Sequence, residues 1–213
     1  MTREEFIEVL KDKGYQFVIE GDKIVVIGEY INLKPLKEIP YGVIFNNMGQ
    51  VNLDSLETLP TGVEFNNDGV VILDLLQTLS SDVKFNNGSS ISLNSLQIIP
   101  SGTQFNNNGN LYLDSLKIIP SGVIFNNRGE IYLDSIKSIE SGVEFNNDGY
   151  IRLNSIKSSA SGSSYNNKYD VKLGLLNKEG WFREWIGNID EIDSRKLINT
   201  MIKRGVFYHQ GEN

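Results

Sequence analysis

Acidic side chains recur at one fixed spacing in this sequence, and carboxylates are the side chains here most able to do chemistry. They lie 20 or 40 residues apart, with asparagine at the intervening positions: Asp54, Asp74, Asn94, Asp114, Asp134 and Asn154. Paired carboxylates can carry out acid–base chemistry or bind Ca²⁺. Each position directly follows a short apolar segment, where Asp and Asn commonly accept hydrogen bonds from backbone amides in turns. Turn formation is therefore the favoured interpretation, and cation binding stays open as an alternative.

Catalytic groups other than these acids are scarce. The chain has no cysteine and a single histidine, His209, so neither a Cys–His nor a Ser–His–Asp arrangement has the residues it needs. Disulfides and cysteine-ligated metal sites are excluded for the same reason. No glycine-rich phosphate-binding pattern stands between a strand and a helix. We expect no catalytic residues, no metal site and no cofactor, and hence a protein that is not an enzyme.

A second recurring position carries side chains typical of binding surfaces. Tyr112 and Tyr132 are 20 residues apart, and Arg152 stands at the next equivalent position. Tyrosine and arginine together are typical of interface hot spots. Tyrosines stacked on neighbouring strands could equally serve only to stabilise those strands. The sequence leaves these two interpretations open.

Both spacings arise from a 20-residue repeat that has no insertions. Its shared pattern is Φ-x-L-D/N-S-L-x-x-Φ-P-x-G-V-x-F-N-N-x-G-x, where Φ is apolar. Seven copies begin at Ile31, Val51, Val71, Ile91, Leu111, Ile131 and Ile151, and an eighth begins at Val171 and breaks off after Leu176. A fixed period of this length is the mark of a solenoid.

Each copy contains two segments in which apolar residues alternate, Φ-x-L and V-x-F, as in Leu111–Leu113 and Val123–Phe125. Their apolar residues must share an interior, which one copy cannot bury alone, so copies must stack. We therefore predict a mainly β fold: a parallel β-solenoid of about eight coils, about 40 Å long at the usual strand spacing. Parallel crossovers favour a right-handed coil. The Asn-Asn pair of each copy is expected to pin a corner, with side-chain amides hydrogen-bonded along the rod.

The repeat resembles short-repeat, leucine-rich-repeat-like proteins encoded by bacteriophages. The residues that carry the resemblance are L-D-S-L-x-x-L/I-P-x-G-V-x-F-N-N, over about residues 24–176, and the ending WFREWIGNIDEIDSRKLINTMIKRGVF is also similar. That family is mostly without an assigned function. The resemblance implies a repeat scaffold and a viral origin, and it carries over no catalytic residue.

The ends of the chain follow other patterns and are predicted to be caps. Residues 1–30 read as a helix over 3–13, opened by a Thr2/Glu5 capping box, and then a short hairpin around Gly21-Asp22. Residues 31–176 are the solenoid, and 177–213 are predicted to form a helical C-terminal cap. Trp181 and Trp185 lie on one face of its first predicted helix, where they either cover the last coil or dock a partner.

Charge and hydropathy narrow the function further. The 27 acidic and 20 basic residues give a net charge of −7, which disfavours nucleic-acid binding and suits a basic protein partner. No secretory signal or membrane-spanning run is present, so a cytoplasmic protein is expected, in the host cytoplasm if viral. The leading hypothesis is a protein-binding module, specifically a phage inhibitor of a host defence or other host protein. The alternative is a virion assembly protein that oligomerises through its ends, with the C-terminal cap as one contact.

Overall fold

The computed structural model describes residues 1–156 and, beyond them, the backbone of four strands: Ser158–Ser159, Ser164–Asn167, Val171–Leu176 and Phe182–Trp185. Within this part the chain is a mainly β parallel solenoid of about six turns, preceded by one helix. No helix among the described residues is long and apolar enough to span a membrane.

The N-terminal cap has the predicted elements. Helix α1 (Arg3–Asp12) begins with the capping box, in which Thr2 and Glu5 each accept a hydrogen bond from the other's backbone amide. Phe6 and Leu10 are fully buried against the first coils. Strands β1 (Gln16–Glu20) and β2 (Lys23–Gly28) then form an antiparallel hairpin. The cap therefore covers the solenoid interior that the first coil would otherwise expose.

Each coil contributes short strands to stacked sheets. Sheet 1 holds β1, β2 and the x-F-N-N strands: Val43–Asn47, Glu64–Phe65, Lys84–Asn87, Gln104–Asn107, Ile124–Asn127, Glu144–Asn147 and Ser164–Asn167. Sheet 2 holds the strands that begin each repeat: Ile31–Asn32, Val51–Asn52, Val71–Ile72, Ile91–Ser92, Leu111–Tyr112, Ile131–Tyr132, Ile151–Arg152 and Val171–Leu176, followed by Phe182–Trp185.

A third set of two-residue strands was not predicted. It consists of Thr58–Leu59 and Thr78–Leu79 in one sheet, and of Ile118–Ile119, Ser138–Ile139 and Ser158–Ser159 in another. An isolated bridge from Thr78 to Ile98 continues the set. The sequence shows at most one inward apolar residue in each of these segments, such as Leu59, and Ser158–Ser159 has no apolar residue. One such residue is too short a pattern to show the alternation that indicates a strand.

The register between coils follows the repeat. Parallel partners in successive coils are 20 residues apart, as with Phe105 and Phe125 or Leu111 and Ile131. Equivalent side chains therefore stack on themselves along the rod. The six phenylalanines of x-F-N-N are fully buried, with neighbouring ring centroids 4.8–5.5 Å apart, and they form the spine of the core: Phe45, Phe65, Phe85, Phe105, Phe125 and Phe145.

The corner before x-F-N-N needs a left-handed backbone. Five coils place glycine there with φ between 69° and 75°, as at Gly62 and Gly122. Coil 71–90 has Asp82 instead, at φ 67°, the only non-glycine residue of the described chain with positive φ. Aspartate tolerates this conformation better than most residues do. The repeat can therefore lose its glycine here without losing the coil.

The C-terminal cap differs from the prediction where the structure describes it. Phe182–Trp185, expected to be helical, is a strand that pairs antiparallel with Val171–Leu176 and joins Trp185 to Leu173. Val171–Leu176 is the last parallel strand, and the backbone N–H and C=O groups on its outer edge need hydrogen-bond partners. A neighbouring strand supplies those partners, whereas a packed helix does not. The other residues of 177–213, including Trp181, lie outside the described part of the chain.

Candidate functional site

Tyr112, Tyr132 and Arg152 form a continuous stack on the outer surface of sheet 2, hereafter the tyrosine face. The two tyrosine rings are stacked with centroids 4.6 Å apart and planes at 22°. The guanidinium carbon of Arg152 lies 4.6 Å from the centroid of Tyr132, in cation–π contact. The prediction that these three residues are stacked neighbours on the rod is confirmed, and their role in binding stays a prediction.

The stack exists because the middle residue of Φ-x-L points outward in a two-residue strand. Leu111 and Ile131 point inward and are fully buried, whereas Tyr112 and Tyr132 are half-buried. Strand spacing then places consecutive outward side chains at about 4.8 Å, close to the optimum for stacked rings. The strand backbone itself therefore positions the stacked side chains, and no loop is needed to hold them.

Polar neighbours hold the stack in place. The side-chain amide of Asn110 donates to the Tyr112 hydroxyl at 3.1 Å, and the Glu130 backbone amide donates to Asn110 Oδ1 at 2.9 Å. Arg152 Nη2 donates to Glu130 Oε2 at 3.2 Å. Burial, together with a hydrogen bond to the Glu130 carboxylate, raises the pKa of Tyr132, so its hydroxyl remains protonated at neutral pH. The face therefore presents two phenol rings, one guanidinium and one carboxylate in fixed positions.

A carboxylate pair lies beside the tyrosine face at the end of the same strands. Asp114 and Asp134 occupy equivalent positions in adjacent coils, and Asp114 Oδ1 is buried without a hydrogen-bond partner. Burial, and then the negative charge of Asp114, raises the pKa of Asp134, while Arg152 opposes the rise. Asn154 Nδ2 donates to Asp134 Oδ1 at 2.6 Å, so an asparagine relieves the repulsion on one side.

The earlier part of this ladder shows what its members do. Asp54 Oδ1 accepts from the backbone amide of Asp74 at 3.2 Å. Asp74 Oδ1 accepts from the backbone amide of Asn94 at 3.3 Å and from its side-chain amide at 3.1 Å. Asp54 and Asp74 lie in turns, as expected, but these side-chain bonds join the corners of successive coils and do not close a turn within one. Among the described residues no three acidic or histidine side chains gather as metal ligands.

The Asn-Asn corners form two hydrogen-bonded ladders, as predicted. From the coil of Asn86 to that of Asn146, the first asparagine donates to the preceding coil, for example from Asn126 Nδ2 to Asn106 Oδ1 at 2.8 Å. The second is buried and donates to the following coil, as from Asn107 Nδ2 to Asn127 Oδ1 at 2.8 Å. The ladders thus run in opposite directions, so their amide dipoles oppose each other. The inner ladder starts at Asn87, in the turn that reads Asn87-Gly88-Ser89. The buried Oδ1 atoms of Asn47, Asn67 and Asn87 therefore have no hydrogen-bond partner.

The outer ladder lines a shallow groove of about 640 Å³ that the sequence did not single out as a surface. Its rim carries opposite charges, with Asp68, Arg128 and Asp148 at the position after each asparagine pair. Alternation in V-x-F-N-N already puts the second asparagine on the inner side and the first on the outer side. That signal would have separated the buried ladder from the exposed one.

The predicted tryptophan sites lie apart from what can be described. Trp181 is outside the described residues, and only the backbone of Trp185 is placed, in the strand that ends the sheet. The structure therefore brings Tyr112, Tyr132 and Arg152 together, and it leaves the docking role of the two tryptophans as a prediction.

Comparison with models of protein families, with curated proteins and with solved structures finds no match to this chain. The resemblance to phage repeat proteins is thus unsupported by any relative, and viral origin stays a prediction.

Proposed function

We propose that this chain is a non-enzymatic protein-binding module whose partner docks on the tyrosine face. The observation that carries the proposal is the ordered stack of Tyr112, Tyr132 and Arg152 on a rigid strand surface. Aromatic and arginine side chains that are held in place before binding lose little conformational entropy on association. The grooves that the described chain does show are lined by the asparagine corners and by residues 79–106 and not by the tyrosine face, which favours a macromolecular partner over a small molecule at that face.

Charge suggests the kind of partner. Glu130 forms an ion pair with Arg152, and Asp134 lies close enough to both Arg152 and Asp114 to interact with their charges. Together with the net charge of −7, this favours a basic protein surface that offers Arg or Lys to the carboxylates. In its most specific form the proposal is a phage inhibitor that occupies a basic groove of a host defence protein in the host cytoplasm.

We also propose that the C-terminal end of the solenoid is closed by a helical cap. Asp193 is a candidate N-cap for a second helix of the cap that would run through Lys203. Eight coils and this helix would close the solenoid next to the tyrosine face. Leu197, Ile198, Met201 and Ile202 give that helix an apolar side suited to covering the last coil.

Affinity capture tests the proposal with three purified baits. The baits are the wild type, Tyr112→Asn/Tyr132→Asn and the control Ile72→Asn. Asparagine occupies the same repeat position at Asn32 and Asn52, so the coil accepts it, and Ile72 lies on the same row away from the stack. We expect one host protein to be enriched by the wild type and by the control and to be lost with the double variant. Equal capture by all three baits would place recognition elsewhere.

A second candidate function is a virion or assembly component that oligomerises through its ends. The exposed terminal strand β1 favours it, since sheet 1 has a free edge there. This alternative predicts a concentration-dependent mass in the absence of any host protein. Assembly through the ends does not require Tyr112 or Tyr132.

A further inference from the structure

Exposed apolar side chains are concentrated near the N-terminal end of the rod. Of nine large hydrophobic residues exposed in the described chain, six fall within the first 48 positions: Val18, Ile19, Ile27, Tyr30, Tyr41 and Met48. Val18 and Ile19 are 43% and 55% exposed and are adjacent on β1. Because side chains alternate along a strand, Val18 and Ile19 leave apolar surface exposed on both faces of β1.

Strand β1 also has an unpaired edge. It pairs only with β2 and ends the nine-strand order of sheet 1. Natural edge strands are usually protected by proline, lysine or a bulge. The sequence Gln16-Phe17-Val18-Ile19-Glu20 has no proline or lysine, and its pairing with β2 proceeds without a bulge. The edge is therefore open to another strand.

The hairpin turn determines which backbone groups of β1 are free. Gly21 and Asp22 form a two-residue loop with φ 63° at Gly21, so Glu20 and Lys23 are the hydrogen-bonded pair that closes it. In antiparallel strands such pairs alternate, and Val18 therefore bonds to Val25. The amides and carbonyls of Phe17 and Ile19 then point away from β2, toward the open edge.

We infer that β1 pairs antiparallel with β1 of a second copy of this chain, which makes a two-fold symmetric dimer with one continuous sheet. A two-fold axis at Val18 places Phe17 opposite Ile19 of the other copy, and the free groups of these two residues form four backbone hydrogen bonds. Val18 faces its own equivalent as a non-hydrogen-bonded pair. This surface lies at the opposite end of the rod from the predicted C-terminal contact.

The side chains are self-complementary in this register. Gln16 lies opposite Glu20 of the other copy, so an amide donor meets a carboxylate acceptor at each end and no like charges face each other. Val18 meets Val18 on one side of the sheet, and Phe17 meets Ile19 on the other. Sliding one strand by two residues would instead set Gln16 or Glu20 against the apolar Val18 of the other copy, and sliding it by four would bring Gln16 or Glu20 opposite its own equivalent. The side chains therefore specify both the second copy and its alignment.

Disulfide trapping tests the inference, because the chain has no cysteine of its own. In the inferred dimer the two Val18 Cα atoms lie about 4.5 Å apart, which a disulfide can bridge. Ile19 is offset from its equivalent by more than about 7 Å, which a disulfide cannot bridge. We expect Val18→Cys to form a covalent dimer under mild oxidation, and we expect Ile19→Cys and the distant Ile98→Cys to stay monomeric on a denaturing gel.

Sedimentation velocity supplies the second measurement. Val18→Lys places two ammonium groups opposite each other and should raise the dimer dissociation constant about a hundredfold or more. Ile98→Lys, at a side chain 61% exposed on a different coil, should leave it unchanged. A wild type that is monomeric at all concentrations overturns the inference and leaves the edge to a strand from a different protein. A dimer that links equally well through Ile98→Cys, or that survives Val18→Lys, overturns the assignment to β1.

Discussion

At the scale of single residues, the outward positions of the repeat differ in how far the coils constrain them. The Asp114–Asp134 pair is electrostatically unfavourable, because in-register stacking of the coils brings two negative charges together. At Asn94 and Asn154 the chain avoids that cost by placing an amide in the same ladder, where Asn94 donates to Asp74 and Asn154 donates to Asp134. Retaining a charge pair beside Tyr112 and Tyr132 is unnecessary for the fold, in keeping with a surface that meets a basic partner.

Asp134→Asn should stabilise the protein at neutral pH. The raised pKa of Asp134 means that the unfolded chain releases this proton first as the pH rises. Wild-type stability should therefore fall as the pH rises from the ordinary aspartate pKa through the raised one. The variant should lack this fall and gain about 0.2–1 kcal/mol at pH 7, the range for a cross-strand pair. Urea unfolding across this pH range measures it.

Asp148→Asn is the control, because Asp148 is exposed and lies in the groove away from the ladder. It should leave the pH dependence of stability unchanged. If Asp134→Asn instead lowers stability at pH 7, the carboxylate at position 134 makes a favourable contact that outweighs the repulsion from Asp114.

At the scale of strands and corners, each position of the repeat has its own structural role. The inward pairs of Φ-x-L and V-x-F form the core, and the phenylalanine spine runs through six coils. At Gly129, in the x-F-N-N-x-G turn, glycine is required by close approach, since a Cβ there would lie 2.4 Å from the carbonyl carbon of Gly109; coil 71–90 has Gly88-Ser89 in this turn instead. The corners thus fix how tightly coils stack, and the strands fix which side chains face outward.

Phe125→Ala should lower the free energy of unfolding by about 3–5 kcal/mol, as for other buried phenylalanines. The ring is fully buried between Phe105 and Phe145, at centroid distances of 5.5 and 4.8 Å, so truncation leaves a cavity in the spine. Equilibrium denaturation measures the loss. Ile124→Ala, at the adjacent outward position, should cost much less. Equal losses for the two variants would contradict the inward assignment of Phe125.

Sequence periodicity predicted the helix, the hairpin, both main strand sets and the Tyr–Tyr–Arg stack, because each depends on a side chain's place in a repeat of fixed length. The third strand set was missed because its two-residue segments contain a single inward residue, such as Ile119. The Phe182–Trp185 strand was missed because its aromatic spacing fits a helix as well as a strand, and only the unpaired edge of Val171–Leu176 decides between them. The sequence of β1 does not show that its edge is free either, because that depends on whether another strand lies beside it.

At the scale of the whole molecule, the solenoid is a stack of interchangeable units. Successive coils interact mainly with their neighbours, so the tyrosine face depends on coils 111–130, 131–150 and 151–170 and not on the length of the rod. The rod presents the tyrosine face along its side and β1 at its N-terminal end. Partner binding and dimerisation therefore use separate surfaces, and a variant can remove one without the other.

Deleting residues 51–70 should give a folded, shorter protein. The deletion removes one whole repeat and joins Gln50 to Val71, which has the same place in the repeat as Val51. The rod should shorten by about 4.8 Å, and stability should fall because one inter-coil interface is lost. Small-angle scattering and circular dichroism report both. Deleting residues 51–60 breaks the register and should prevent folding, and a folded product from that shorter deletion would contradict the in-register stack.

The most direct test of the tyrosine face is the equilibrium affinity of the captured partner for wild type, Tyr112→Asn/Tyr132→Asn and Ile72→Asn, measured by calorimetry with purified proteins. We predict that the double variant loses about 2 kcal/mol or more of binding free energy, as expected for hot-spot side chains, or about thirtyfold in Kd. Ile72→Asn should bind like the wild type. An unchanged Kd for a folded double variant would contradict the proposal and would reduce the tyrosine stack to a support for the solenoid.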